Sequence, residues 1–125
     1  MIHEDLTEKI LGACFEVSNE LGCGFLESVY HKALLIALTE TGLKAQSQPP
    51  LQVMFRGQTV GDFIPDIIVE ETVLLELKAV KALMPEHLAQ VMNYLKATGI
   101  GVGFLINFGN PKLEYRRFEN RFLKT

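Results

Sequence analysis

The chain lacks the groups that would place it in several familiar classes. Only Cys14 and Cys23 are cysteine, and no ligand spacing surrounds either. That excludes a disulfide framework and a zinc site, and both read as free thiols. Cys14 lies on the apolar stripe of an expected helix and belongs in the core. No apolar run reaches the ~18 residues of a transmembrane helix. The start, Met1-Ile2-His3-Glu4-Asp5-Leu6, is acidic and has no signal-peptide apolar region. A cytoplasmic protein without membrane contact is expected. There is no glycine-rich phosphate loop, no GxSxG elbow and no Cys-His pairing for covalent catalysis. Positive charge is short as well: 12 Lys and Arg face 15 Asp and Glu, for a net charge of −3. That argues against strong non-specific binding to nucleic acid, which needs basic surface. The segment after Asn110 departs from this balance, with Lys112, Arg116, Arg117, Arg121 and Lys124 against Glu114 and Glu119. It reads either as a basic edge for a phosphate backbone or as a solvated edge strand protected by charge.

What is present describes one domain, residues 1–125, with 48% hydrophobic and 22% charged residues. Leu6, Ile10, Leu11, Cys14, Phe15, Val17 and Leu21 follow a helical stripe that Gly22-Cys23-Gly24 ends. A second helix starts near Leu26 and stops at Gly42. Lys44 to Phe55 reads as one strand interrupted at Pro49-Pro50. Arg56-Gly57 turns the chain into Gln58 to Gly61. Two apolar runs follow. Pro85 suits the first turn of a helix that runs through Ala97 to a Gly99 cap. Val102 to Phe108 and Leu113 to Leu123 complete the pattern as strands. The order is α-α-β-β-β-β-α-β-β, an α/β domain with a central mixed sheet flanked by helices.

The two apolar runs, Phe63 to Val69 and Val73 to Val80, carry charge where none is expected. Apolar residues occupy both parities, so each strand is buried on both faces. Yet Asp66, Glu76 and Lys78 sit inside them, and burying an ion costs several kcal/mol. If Glu70, Glu71 and Thr72 form the loop, Val69 faces Val73 and Asp66 faces Glu76; a two-residue loop shifts that register. Side chains alternate, so Glu76 and Lys78 share a face and Asp66 joins them across the ladder. Hard oxygen donors suit Mg²⁺ or Mn²⁺, with Lys78 placed to orient water or stabilise negative charge. The competing reading is an ion pair with Lys78 bridging both acids, which leaves one carboxylate over.

Pro65-Asp66, nine residues, then Glu76-Leu77-Lys78 resembles the signature of the PD-(D/E)XK nuclease superfamily. Gly24-Phe25-Leu26-Glu27-Ser28-Val29-Tyr30 matches the motif of the GxxExxY proteins, a branch of it. The resemblance implies a restriction-endonuclease-like core. It makes Asp66, Glu76 and the Leu77 backbone carbonyl metal ligands, Lys78 the catalytic lysine, and Glu27 an additional helical carboxylate. Glu27 is also explained by the helix dipole alone. Tyr30, one turn on, is a substrate contact or a packed core tyrosine. Gln90 to Tyr94 resembles the QxxxY motif of RecB-type nucleases, which supports the site. His87 shares that face and reads as a surface group or a phosphate contact. The resemblance thus implies a catalytic set of Lys78, Glu76, Asp66 and Gln90, with Tyr30, Tyr94 and His87 toward substrate.

Two function classes follow. One is a Mg²⁺- or Mn²⁺-dependent nuclease acting on DNA rather than RNA through metal-activated water, with pairing into a homodimer in view. The other is a non-catalytic module that keeps the fold and binds nucleic acid or protein.

Overall fold

Helical periodicity and glycine stops account for the first two elements. The computed structural model describes residues 3–121; Met1, Ile2, the end of the last expected strand and Lys124 lie outside them. Helix α1 (Glu4–Leu21) buries Ile10, Ala13, Cys14 and Val17, one face of a 3.6-residue repeat. It ends at Gly22, whose φ of 69° suits glycine. Helix α2 (Glu27–Glu40) buries Tyr30, Leu34, Ala37 and Leu38. Cys14 is in the core, and burial pushes its thiol up to about 12. Among the described residues no helix is long and apolar enough to cross a membrane.

The segment expected as one interrupted strand is two strands in different sheets. Strand β1 (Ala45–Ser47) belongs to the main sheet, whereas β2 (Leu51–Phe55) pairs only with β3 (Gln58–Phe63) as a separate hairpin. The cause is local. Gln48 donates a last rung to the Asp66 carbonyl at 2.8 Å and then takes a positive φ of 49°. Pro49 and Pro50 follow, and neither can donate to a ladder. The β2–β3 turn is Arg56-Gly57 as expected, with φ of 50° and 78°, a twist that matches paired strands.

The first apolar run is likewise not one strand. Phe63 closes β3, Ile64 is exposed, and only Ile67–Val69 forms β4. Strand β5 (Val73–Lys78) pairs with it antiparallel in the three-residue-loop register, Val69 opposite Val73 and Ile67 opposite Leu75. Helix α3 (Pro85–Thr98) opens on Pro85 and ends at Gly99 with φ of 73°. It carries the chain across to β6 (Val102–Asn107), parallel to β5; β7 (Glu114–Glu119) returns antiparallel along the edge. The sheet order is β1-β4-β5-β6-β7.

Both faces of the sheet are covered. Ile67, Val69, Val73, Leu75, Leu77, Phe104 and Ile106 meet α1 and α2 in the larger core. Leu74 and Leu105 meet Val91 and Leu95 of α3 in the smaller one. By alternation, Glu76, Lys78 and Asn107 lie on the α3 side. The basic edge is the solvated strand β7, where Arg116 pairs with Glu114 at 3.6 Å and Arg117 with Glu119 at 3.3 Å.

After β6 the chain passes very close to the end of β5. A Cβ on Gly109 would lie 2.1 Å from the Val80 carbonyl oxygen and 2.4 Å from its nitrogen. Backbone cannot swing aside as a side chain can. Gly109→Ala is therefore expected to lower folding stability by about 3 kcal/mol, read as a fall in the urea midpoint. An unchanged midpoint would show that this approach is not enforced.

Candidate active site

Where Pro65 stops the β4–β5 ladder, two carboxylates take its place. The Asp66 backbone N–H donates to Glu76 Oε1 at 2.9 Å, and the Leu77 backbone N–H donates to Asp66 Oδ2 at 2.7 Å. Each acid is thus fixed through one oxygen by the other's strand. Asp66 Oδ1 and Glu76 Oε2 have no hydrogen-bond partner among the described residues. Glu76 is buried, while Asp66 and Lys78 are half-buried.

Burial first, and the neighbouring Asp66 charge second, push the Glu76 carboxyl up to about 8. Lys78 opposes this shift but does not close an ion pair. No salt bridge among the described residues involves Lys78. The bridging ion pair weighed above is therefore not the arrangement adopted.

Helices α2 and α3 bring further groups to the same end of the sheet. Glu27, in the first turn of α2, has its carboxyl raised by burial; the charges of Lys78, His31 and His87 pull it down and Asp66 pushes it up. From α3, Gln90 Nε2 donates to the Tyr94 hydroxyl at 3.0 Å, the i, i+4 pairing expected. Burial and then the Glu76 charge raise the Tyr94 hydroxyl above its ordinary value. The Tyr94 ring packs on Phe63 with centroids 4.6 Å apart. His87 accepts the Met84 backbone N–H on Nδ1 at 3.0 Å and so caps α3.

Tyr30 is corrected. It is fully buried, stacked on Phe108 with centroids 4.7 Å apart, and its hydroxyl is used twice, donating to the Gly22 carbonyl at 2.7 Å and accepting from the Phe25 N–H at 3.2 Å. It holds the turn into α2 and offers nothing to a substrate.

Asn107 was missed from sequence. It stands opposite Lys78 in the parallel ladder and is fully buried. Its Oδ1 accepts from the Val80 and Gly109 N–H groups, both at 3.0 Å. Its Nδ2 donates to the Val80 carbonyl at 2.8 Å and Glu114 Oε1 at 3.1 Å. The Phe108 N–H donates to the Lys78 carbonyl at 2.8 Å. Together these bonds fix the backbone that carries Lys78. The signal was the same as for Glu76, a polar residue inside the apolar strand Val102 to Phe108.

No group of three His, Cys, Asp or Glu among the described residues is gathered closely enough to cage a metal. The donor set fits an open site instead. Mg²⁺ retains waters and is commonly held by one or two carboxylates together with substrate phosphate. Two hard-oxygen donors with a free oxygen each, whose mutual repulsion a cation would relieve, meet that description.

The model of the PD-(D/E)XK nuclease superfamily matches residues 4–118. The chain belongs to that superfamily. Two solved structures share its fold. The crystal structure of SSO0001 aligns with a TM-score of 0.60 at 15% identity, covering 75% of this chain and 50% of that one. An alkaline exonuclease, LHK-Exo from Laribacter hongkongensis, aligns with a TM-score of 0.51 at 17% identity, covering 69% and 52%. The chain thus spans about half the length of either. No curated protein sequence matches it. For this superfamily member the α/β class with a restriction-endonuclease-like core holds, with Lys44 to Phe55 divided as described.

The raised Glu76 carboxyl links stability to pH. Its folded value of about 8 exceeds its ordinary 4.5, so the folded state holds the proton more tightly. The contribution is complete below about pH 4.5 and is lost as pH rises through about 8. In EDTA, urea midpoints are expected to decline across that window more steeply in the wild type than in Glu76→Gln. Equal slopes would contradict the shift.

Proposed function

We propose that this chain is a Mg²⁺- or Mn²⁺-dependent nuclease of the GxxExxY type, a single nuclease-like domain that hydrolyses phosphodiester bonds in DNA. The observation that carries the reading is the Asp66–Glu76 pair. Each acid is pinned through one oxygen and free at the other, with Lys78 on the same face and outside any ion pair among the described residues. A purely structural pair would be satisfied internally.

In this reading Asp66 and Glu76 would hold the cation, with the Leu77 carbonyl as a further oxygen, and Glu27, not gathered with them into a three-acid cage, would reach it through a bound water. The cation supplies Lewis acidity toward a phosphoryl oxygen and lowers the pKa of water. Lys78 would orient the attacking water and offset negative charge on the phosphoryl oxygens. Gln90 and Tyr94 buttress Glu76 from α3, and His87 lies toward the substrate. Superfamily membership and the fold shared with an alkaline exonuclease support nuclease chemistry.

Cleavage of labelled DNA and RNA in Mg²⁺ or Mn²⁺ tests this. Asp66→Ala, Glu76→Ala and Lys78→Ala are each expected to lose at least about 100-fold in rate, while Mn²⁺ binding by calorimetry disappears in Asp66→Ala. Cleavage that persists in both Glu76→Ala and Lys78→Ala would overturn the assignment. Failure to bind Mn²⁺ would favour the non-catalytic module.

A further inference from the structure

A cleft of about 530 Å³ opens beside the carboxylate pair, between the first half of α2 and edge strand β1. Its walls carry two kinds of chemistry. Glu27 and Asp66 belong to the acidic site already described. Ser28, His31, Lys32 and Ser47 bring hydroxyl, imidazole and ammonium groups. None of these four figured in the reading of the site from sequence.

The donors are placed rather than scattered. His31 lies one turn after Glu27, and Lys32 one turn after Ser28, so each pair shares a face of α2. The four residues separating each pair advance about 6 Å along the helix axis, a step comparable with that between successive phosphates of an extended strand. His31 Nε2 lies 2.8 Å from Ser47 Oγ, which ties α2 to β1 and fixes the ring. Neither His31 nor Lys32 makes an ion pair among the described residues. In a chain of net charge −3, an imidazole and an ammonium therefore line a cleft beside the acids without closing a salt bridge to them.

We infer that this cleft binds a second phosphate of the substrate strand, one step from the bond being cut, through His31, Lys32 and Ser47. The inference rests on the nuclease reading and deepens it. The substrate is a polyanion that spans two adjacent phosphate positions, not a small phosphoester. Carboxylates receive one phosphate through the cation, and the donors of α2 and β1 receive the next. A phosphate hydrogen-bonded to charged donors is held more strongly than one bound by neutral groups.

The test is fluorescence anisotropy of a 3′-labelled oligonucleotide with the Lys78→Ala protein in Mn²⁺, so that binding is separated from cutting. Adding His31→Gln or Lys32→Gln is expected to weaken binding about tenfold and to reduce the slope of log affinity against log salt by about 0.7–0.9 for Lys32→Gln. Lys9→Gln, on α1, is expected to change neither. Oligonucleotides with a 5′-phosphate or a 5′-hydroxyl distinguish the source of the phosphate. A preference for the first identifies a strand end, and equal binding identifies an internal phosphodiester. Binding unaffected by His31→Gln and Lys32→Gln, or no oligonucleotide binding at all, would overturn the inference. Failure of the nuclease reading is seen separately, as cleavage that Lys78→Ala does not abolish.

Discussion

The exchange of hydrogen bonds between Asp66, Glu76 and Leu77 is the constraint on which the rest of the site depends. Pro65 cannot donate to a neighbouring strand, so the ladder between the two central strands must stop there. Carboxylates supply acceptors where the backbone pattern fails. The same bonds hold two negative charges against each other in a partly dry place. That repulsion, added to burial, keeps a proton on Glu76 far above the ordinary carboxylate range. The site without a cation is thus electrostatically strained by the bonds that shape it. Such strain is tolerable because each acid retains its backbone partner, and a charge-assisted hydrogen bond offsets part of the desolvation.

Around that pair the sheet acts as a divider. Leu75 and Leu77 point into the larger core, while Glu76 and Lys78 emerge beneath α3. Both helices that reach the site arrive by their N-terminal halves. Glu27 comes from the first turn of α2, and Gln90 from the second turn of α3. The parallel pairing of β5 and β6 brings Lys78 and Asn107 to the same end. Asn107 then ties that end down with all its amide capacity engaged. Buried amides with every partner present make a rigid mount.

Much of this was legible in the sequence because the signals were one-dimensional. Helical stripes, glycine stops, Pro85 and the loop at Glu70 to Thr72 all depend on near neighbours along the chain. The facing of Asp66 and Glu76 followed from a three-residue loop combined with strand parity. What was not legible depended on groups distant in sequence. The Pro49-Pro50 break was visible, yet nothing local said that the chain would change sheets there. Tyr30 looked like a site residue because it lies one turn from Glu27, and its burial depends on Phe108, far along the chain. Asn107 and His31 gain meaning only from Val80 and Ser47, which the fold brings to them.

The β2–β3 hairpin has a consequence for how such a protein diversifies. It is a sheet of its own, its tip carries exposed Met54 and Phe55 with Arg56 over the Phe55 ring, and its base meets α3 through Phe63 on Tyr94. Insertions, deletions or new side chains at that tip leave the central sheet untouched, because no strand of the main sheet pairs with it. Its root, however, stands on the tyrosine that faces the carboxylates. The tip is therefore separate from the pairing of the central sheet, while the root is tied to the carboxylate end. That combination lets side chains on a peripheral arm be exchanged while the carboxylate end of the central sheet keeps its geometry.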